Sequence, residues 1–231
     1  MTCILFDVGT PETLSDLVLA QGKFWAITSV RLAHCPTRRK QTEGMDSVLD
    51  GNHLTIRALA TGEWTRAGDI TNLVNRSYVS AQTEVFLIPA PRIDETDVAA
   101  LIARGEIVVA ERAGTAVGVV RVHPLDAGTR YFGLLAVAPE ASSRGVGRAL
   151  LDAIEHDAVV AGATTMELDL LLPDPATTHQ ARLRRWYEGR GYRPVSSRPF
   201  ADVEPEAAKR LRHPTQLIRY VRDLAPSPPL T

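Results

Sequence analysis

At 231 residues the chain is long enough for one ordinary domain and short of two comfortable ones. Hydrophobic residues make up 45% and charged residues 23%, the composition of a soluble globular protein, which excludes collagen-like, mucin-like and wholly disordered chains. A formal net charge of -1 gives no overall drive toward nucleic acid or an anionic membrane.

The N-terminus lacks a basic segment ahead of its apolar residues and does not read as a signal peptide. No stretch approaches the roughly 18 consecutive apolar residues of a membrane span. Two lone cysteines, Cys3 and Cys35, make neither a disulfide framework nor a metal knuckle, so a cytoplasmic setting is the default. Residues 12–20 have the pattern of a short amphipathic helix, and 36–44 is polar, basic and aperiodic. Met45 follows directly, and a native start there would make residues 1–44 an over-extended reading frame. Residues 1–50 are therefore read as an extension and 53–223 as the folded domain, with a Pro-rich tail from 224.

From His53 the chain alternates strand and helix signals. Residues 53–59 alternate with period two. Asp69 can cap a helix through about Tyr78, with Ile70, Leu73, Val74 and Ser77 on one face. Asp94 to Arg104 reads as a second helix, acidic in its first turn and stopped by Gly105. Residues 107–110 and 116–122 flank a short turn at 112–115 and form a hairpin. Residues 131–137 are apolar throughout, as in a strand buried on both faces. A loop at 139–147 opens a helix to about Val160, with Leu150, Leu151, Ile154 and Ala158 as its inner stripe. A strand at 165–172, a helix at 178–190 capped by Gly191, and strands near 192–195 and 216–221 complete the domain. Hairpins first and β-α-β units afterwards predict an α/β fold with a mixed sheet of about seven strands and helices on both faces.

The stretch Val137-Ala-Pro-Glu-Ala-Ser-Ser-Arg-Gly-Val-Gly-Arg148 carries the most chemistry. A buried strand enters a loop that opens a helix through Arg-Gly-x-Gly-Arg. Glycines let successive backbone N–H groups turn toward one point. The helix N-terminus adds unsatisfied donors and a positive dipole end, and Arg144 and Arg148 add full charge. The sum suits a pyrophosphate. Two glycines can equally ease a tight turn. A P-loop would need Gly-Lys-Ser/Thr, which is absent, and a dinucleotide fingerprint would need glycine where Leu150 stands.

Val137-x-Pro, followed by the Gly145-x-Gly147-x-x-Leu150-Leu151 run, resembles the acyl-CoA signature of the GNAT acyltransferase superfamily. Trp186-Tyr187-Glu188-Gly189-Arg190-Gly191-Tyr192 resembles the same family's aromatic-Tyr-Glu-x-x-Gly-Tyr/Phe element. The two lie in the family's order, separated by one helix and one strand. The resemblance spans about residues 53–223. It implies a GNAT fold whose fourth strand splays from the fifth, with acetyl-CoA as co-substrate. The pantetheine arm would lie along Leu135, Ala136 and Val137, and the pyrophosphate on the loop Ser142, Ser143, Arg144, Gly145, Val146, Gly147 and Arg148. Ser142 stands where the family usually has Gln or Arg.

Tyr187 matches the tyrosine that commonly protonates the leaving CoA thiolate. A phenol with pKa near 10 is protonated at neutral pH and can donate. The family's usual glutamate base falls at Tyr131, which leaves deprotonation to water or to another residue, with Asp169 and Glu111 as candidates. His123 is read as a surface or turn residue, Trp186 as core and Glu188 as solvated. The arginines at 182, 184, 185 and 190 face either CoA phosphates or solvent.

The expected activity is direct acetyl transfer to a primary amine on a small molecule or peptide. The pocket for that amine would be built by the first two helices and the 198–214 segment. No metal, nucleic acid or membrane is expected, and a homodimer is compatible with the fold. The rival from another class is a non-catalytic acyl-CoA sensor. A plain nucleotide-binding domain lacks the loop residues it needs.

Overall fold

The computed structural model describes residues 53–224. The helix expected at 12–20, the 36–44 stretch, Met45, both cysteines and the Pro-rich tail lie outside those residues.

The elements are β1 (Leu54–Ala58), α1 (Ala67–Val85), α2 (Glu95–Ala103), β2 (Ile107–Arg112), β3 (Thr115–Pro124), β4 (Thr129–Val137), α3 (Val146–Val160), β5 (Thr165–Pro173), α4 (Thr178–Glu188), β6 (Arg193–Pro199), α5 (Pro205–Ala208) and β7 (Thr215–Asp223). Seven strands form one sheet in the order β1-β2-β3-β4-β5-β7-β6. Only the β4–β5 pairing is parallel, so the sheet is mixed, as the element order predicts. No helix among the described residues is long and apolar enough to cross a membrane.

Local chemistry explains most boundaries. Asp94 Oδ1 accepts from the Asp97 N–H at 2.8 Å and starts α2; Gly105, at φ 70°, ends it. Ala113 and Gly114 (φ 48° and 76°) supply the two left-handed positions of a tight β2–β3 turn. Thr177 caps α4 through the Gln180 N–H at 3.2 Å. The α1 boundaries differ from the 69–78 expected. A 3-10 turn at Trp64–Arg66 feeds the helix before Asp69, which lies in the first turn with no capping role. Ala81, Gln82 and Val85 continue the buried stripe past Tyr78.

The sheet has an apolar layer on each face. Val108, Ala110, Val120 and Phe132 pack with Leu150, Leu151 and Ile154 of α3 and Leu183 and Tyr187 of α4. Alternation sends Ile107, Val109 and Val119, all buried, to the face of α1 and α2. Each fully buried aliphatic side chain contributes about 1.5–3 kcal/mol.

Strand β4 carries a bulge. Its register with β3 steps from Val119↔Ala136 to Arg121↔Gly133, so Leu134 and Leu135 oppose Val120 alone. Leu134 has φ 51° and is buried. The extra residue inverts the alternation. Phe132 before the bulge and Leu135 and Val137 after it all join the α3-side cluster.

Candidate active site

Strands β4 and β5 pair only over Thr129–Tyr131 and Thr165–Glu167, although each runs on for six further residues. Beyond that apex they diverge, which is the splay implied by the family resemblance. Leu135, Ala136 and Val137 line the open edge and are buried. The Leu135 carbonyl accepts from Tyr78 Oη at 3.4 Å. Ser77 Oγ lies within hydrogen-bond distance of the Val137 carbonyl (2.9 Å) and of Leu73 O (2.7 Å). Hydroxyls of α1 thus serve carbonyls that a paired β5 would otherwise occupy.

At the wide end of the gap, a 3-10 turn at Pro139–Ala141 leads to Ser142 and then to Ser143 (φ 65°) and Gly145 (φ 79°), both left-handed. No side chain caps Gly145, and the first α3 bond runs from the Ala149 N–H to the Gly145 carbonyl. The amides of Val146, Gly147 and Arg148 precede it and have no acceptor within the helix. Ser143, Arg144, Gly145 and Arg148 are exposed, while Val146 and Gly147 are buried. Arg148 makes only a loose 3.8 Å approach to Asp152. Amide donors, a helix dipole and exposed guanidinium groups meet here, a combination that fits a diphosphate.

One contributor escapes the motif reading. A Cβ on Gly118 of β3 would come within 2.8 Å of Val146 Cγ1 and 3.0 Å of Leu150 Cδ1. The glycine lets the first turn of α3 press onto the sheet. A glycine inside a strand is itself the sequence signal of such close approach.

Tyr187 is 0% exposed. Its ring lies 6.1 Å from Phe132, 5.7 Å from Tyr192 and 4.9 Å from Trp186. Through the Phe132 ring it packs on β4, and it belongs to the same apolar cluster as Leu135, Val137 and Val146. Trp186 is half-buried: it packs against the core cluster, and its ring meets the Arg190 guanidinium at 5.8 Å. Arg190 is bound to Asp152 (2.7 Å) and Glu155 (2.8 Å), and Arg184 to Glu188 (3.1 Å). Arg182 and Arg185 are exposed. Glu188 also accepts from Tyr220 Oη at 3.3 Å.

The base candidates lie apart. Glu111 is on β2, two strands from β4, held by Arg57 and Arg66 at 2.9 Å each. Asp169 is at the β4–β5 apex, on the sheet face opposite Leu168 and Leu170. Arg219 grips it with Nε at 2.5 Å and Nη2 at 3.0 Å, and reaches Glu167 at 2.7 Å. Arg219 also lies 5.5 Å over the Tyr131 ring. Burial, and next the Asp169 charge, push the Tyr131 phenol far above its ordinary pKa, so Tyr131 is no base. His123 is not a turn residue. Strand β3 continues to Pro124, and the half-buried imidazole packs 5.4 Å from Tyr131. Burial, then Arg121 and Arg104, lower its pKa to about 4.

Residues 103–194 match the family model of the acetyltransferase (GNAT) domain, an interval that runs from the end of α2 into β6 and contains the gap, the loop and Tyr187. Solved structures agree in fold. The Salmonella typhimurium protein yncA, determined with acetyl-CoA, is 17% identical over 78% of this chain and 99% of its own, with a TM-score of 0.55. The Escherichia coli ribosomal-protein-S18-alanine N-acetyltransferase is 17% identical over 78% and 99%, with a TM-score of 0.53. PaiA N-acetyltransferase from Thermoplasma acidophilum, in complex with coenzyme A, is 11% identical over 74% and 99%, with a TM-score of 0.55. No curated protein sequence matches the chain.

Proposed function

The chain carries a GNAT acetyltransferase domain, and from that premise we propose that it moves an acetyl group from acetyl-CoA directly to a primary amine. The observation that carries this reading is the parting of β4 from β5, with uncapped α3 amides at its wide end and Tyr187 packed on Phe132 of β4.

In this reading the diphosphate lies on the amides of residues 143–148. The pantetheine arm runs along Leu135–Val137, its amides pairing with strand edge. Holding thioester and amine together replaces a bimolecular encounter by a local one. The amine lone pair attacks the thioester carbonyl carbon, the C–S bond breaks, and the Tyr187 phenol protonates the departing thiolate. The acceptor ammonium sheds its proton before attack. Asp169 and Glu111 are held in ion pairs and Tyr131 stays protonated, so water carries that proton away.

That both base candidates, Asp169 and Glu111, are held in ion pairs favours the second reading, a non-catalytic acyl-CoA sensor. Two measurements on the full chain separate them. Calorimetry with CoA is expected to show association that weakens with salt. Thiol release from acetyl-CoA over an amine panel is expected for at least one acceptor. Tight CoA binding with no release across the panel supports the sensor; no CoA binding defeats both.

A further inference from the structure

Two cavities on the α1–α2 side meet at one arginine. The first, about 270 Å³, is lined by Arg92, Arg104, Arg121 and Asp97, and by Leu134, the bulge residue of the open strand. The second, about 230 Å³, is lined by Arg92, Arg210 and Glu204 beneath the α5 segment. Arg92 belongs to both. Glu106 reaches both Arg104 (2.8 Å) and Arg121 (2.6 Å), so one carboxylate serves two guanidinium groups there. Asp97 and Glu204 complete the charged lining of the two cavities.

Arg92 is also held in place. Asn75 of α1 clamps its backbone: Oδ1 accepts from the N–H groups of Arg92 (2.7 Å) and Ile93 (3.2 Å), and Nδ2 donates to the Ile93 carbonyl (3.0 Å). The guanidinium lies 5.8 Å over the ring of Tyr78, whose hydroxyl meets the Leu135 carbonyl at the gap. A planar cation fixed at the junction of two small cavities, one opening on the bulge of β4, is preorganised for an anion.

We infer that the acceptor is a small amine carrying a carboxylate or phosphate, and that Arg92 is the residue that selects it. The inference rests on the transferase reading for the word acceptor, and its test separates the two. The full chain, saturated with CoA, is titrated calorimetrically with amine pairs that differ only by carboxylate to carboxamide, and with phosphoethanolamine against ethanolamine. The anionic member of at least one pair is expected to bind about tenfold or more tightly. The responding pair distinguishes carboxylate from phosphate. Arg92→Gln is expected to abolish the preference with CoA affinity unchanged, and Arg92→Lys to keep part of it. Raising salt on the wild type gives the same readout without a variant.

Equal binding of neutral and anionic members, a preference that survives Arg92→Gln, or no binding by any member overturns the inference. Thiol release with neutral amines only also overturns it and leaves the transferase standing. Anion-selective binding without thiol release removes the transferase and leaves the anion site.

Discussion

Strand β5 has one closed edge and one open edge. Toward β7 it is paired through nine positions, from Thr165↔Asp223 to Pro173↔Thr215. Toward β4 it is paired through three. The same backbone could pair equally on both sides, so its neighbours make the difference. On the β7 side Arg219 stands directly opposite Asp169 and fixes the register. On the β4 side the bulge at Leu134 turns the strand, and Ser77 and Tyr78 occupy the carbonyls that pairing would have used. The closed edge holds the sheet together, and the open edge is where the proposed function places the pantetheine arm.

Breaking the closed edge has the largest expected effect. Asp169 has 2% side-chain exposure, and Arg219→Met leaves it buried without its bidentate partner. The expected loss is about 3–5 kcal/mol, read as a fall in the urea midpoint at constant slope. Arg219→Met with Asp169→Leu is expected to recover most of that, because an apolar pair replaces a buried charge left with only the 3.9 Å approach of Arg198. A single variant within about 1 kcal/mol of wild type would show that the register does not depend on this pair.

The open edge is tested by Tyr187→Phe. The substitution keeps the ring that packs on Phe132 and Tyr192 and removes only the hydroxyl. A proton donor lost from the leaving group is expected to lower kcat by about 100-fold, or ~2.7 kcal/mol, with the CoA Kd unchanged. An unchanged kcat would return Tyr187 to a packing role.

Gly118→Ala acts between the two edges, on the seat of α3. The new methyl would press on Val146 and Leu150. Overpacking of this kind costs about 1–3 kcal/mol. Because Val146 opens the amide-rich turn, CoA affinity is expected to fall along with stability. Lost stability with intact affinity would mean that the α3 start adjusts independently.

What the sequence shows and hides follows from the range of each interaction. The β4 run, Pro139, Gly145 and Gly147, and the Trp186–Tyr192 element are local patterns, readable because glycine, proline and periodicity act over a few residues. The bulge at Leu134 is invisible for the same reason that β4 is recognisable. A strand apolar on both faces carries no polar residue to mark a shift of register. Asp69 resembles a helix cap, but the 3-10 turn ahead of it has already started α1. Asp169–Arg219 joins residues 50 apart, and Asn75 clamps Arg92 across 17, so neither follows from spacing. His123 before Pro124 looks like a surface or turn residue until its pairing with Tyr131 is known.

That pairing supplies the smallest effect, and it appears only as a pH dependence. The folded imidazole titrates near 4 against an ordinary 6.5, so the unfolded chain takes up the proton first as pH falls. The stability associated with neutral His123 is complete above about pH 6.5 and is lost as the pH drops through 4. Solvent screening of a half-buried ring reduces the effect to about 1–2 kcal/mol. Nδ1 is buried with no hydrogen-bond partner, so His123→Phe is expected to cost little at pH 7 and to flatten the decline below 6.5. Urea midpoints of both proteins between pH 4 and 7 are the measurement. Parallel curves would mean that burial beside Arg121 and Arg104 does not disfavour the imidazolium, and that the acid side of the stability profile arises elsewhere.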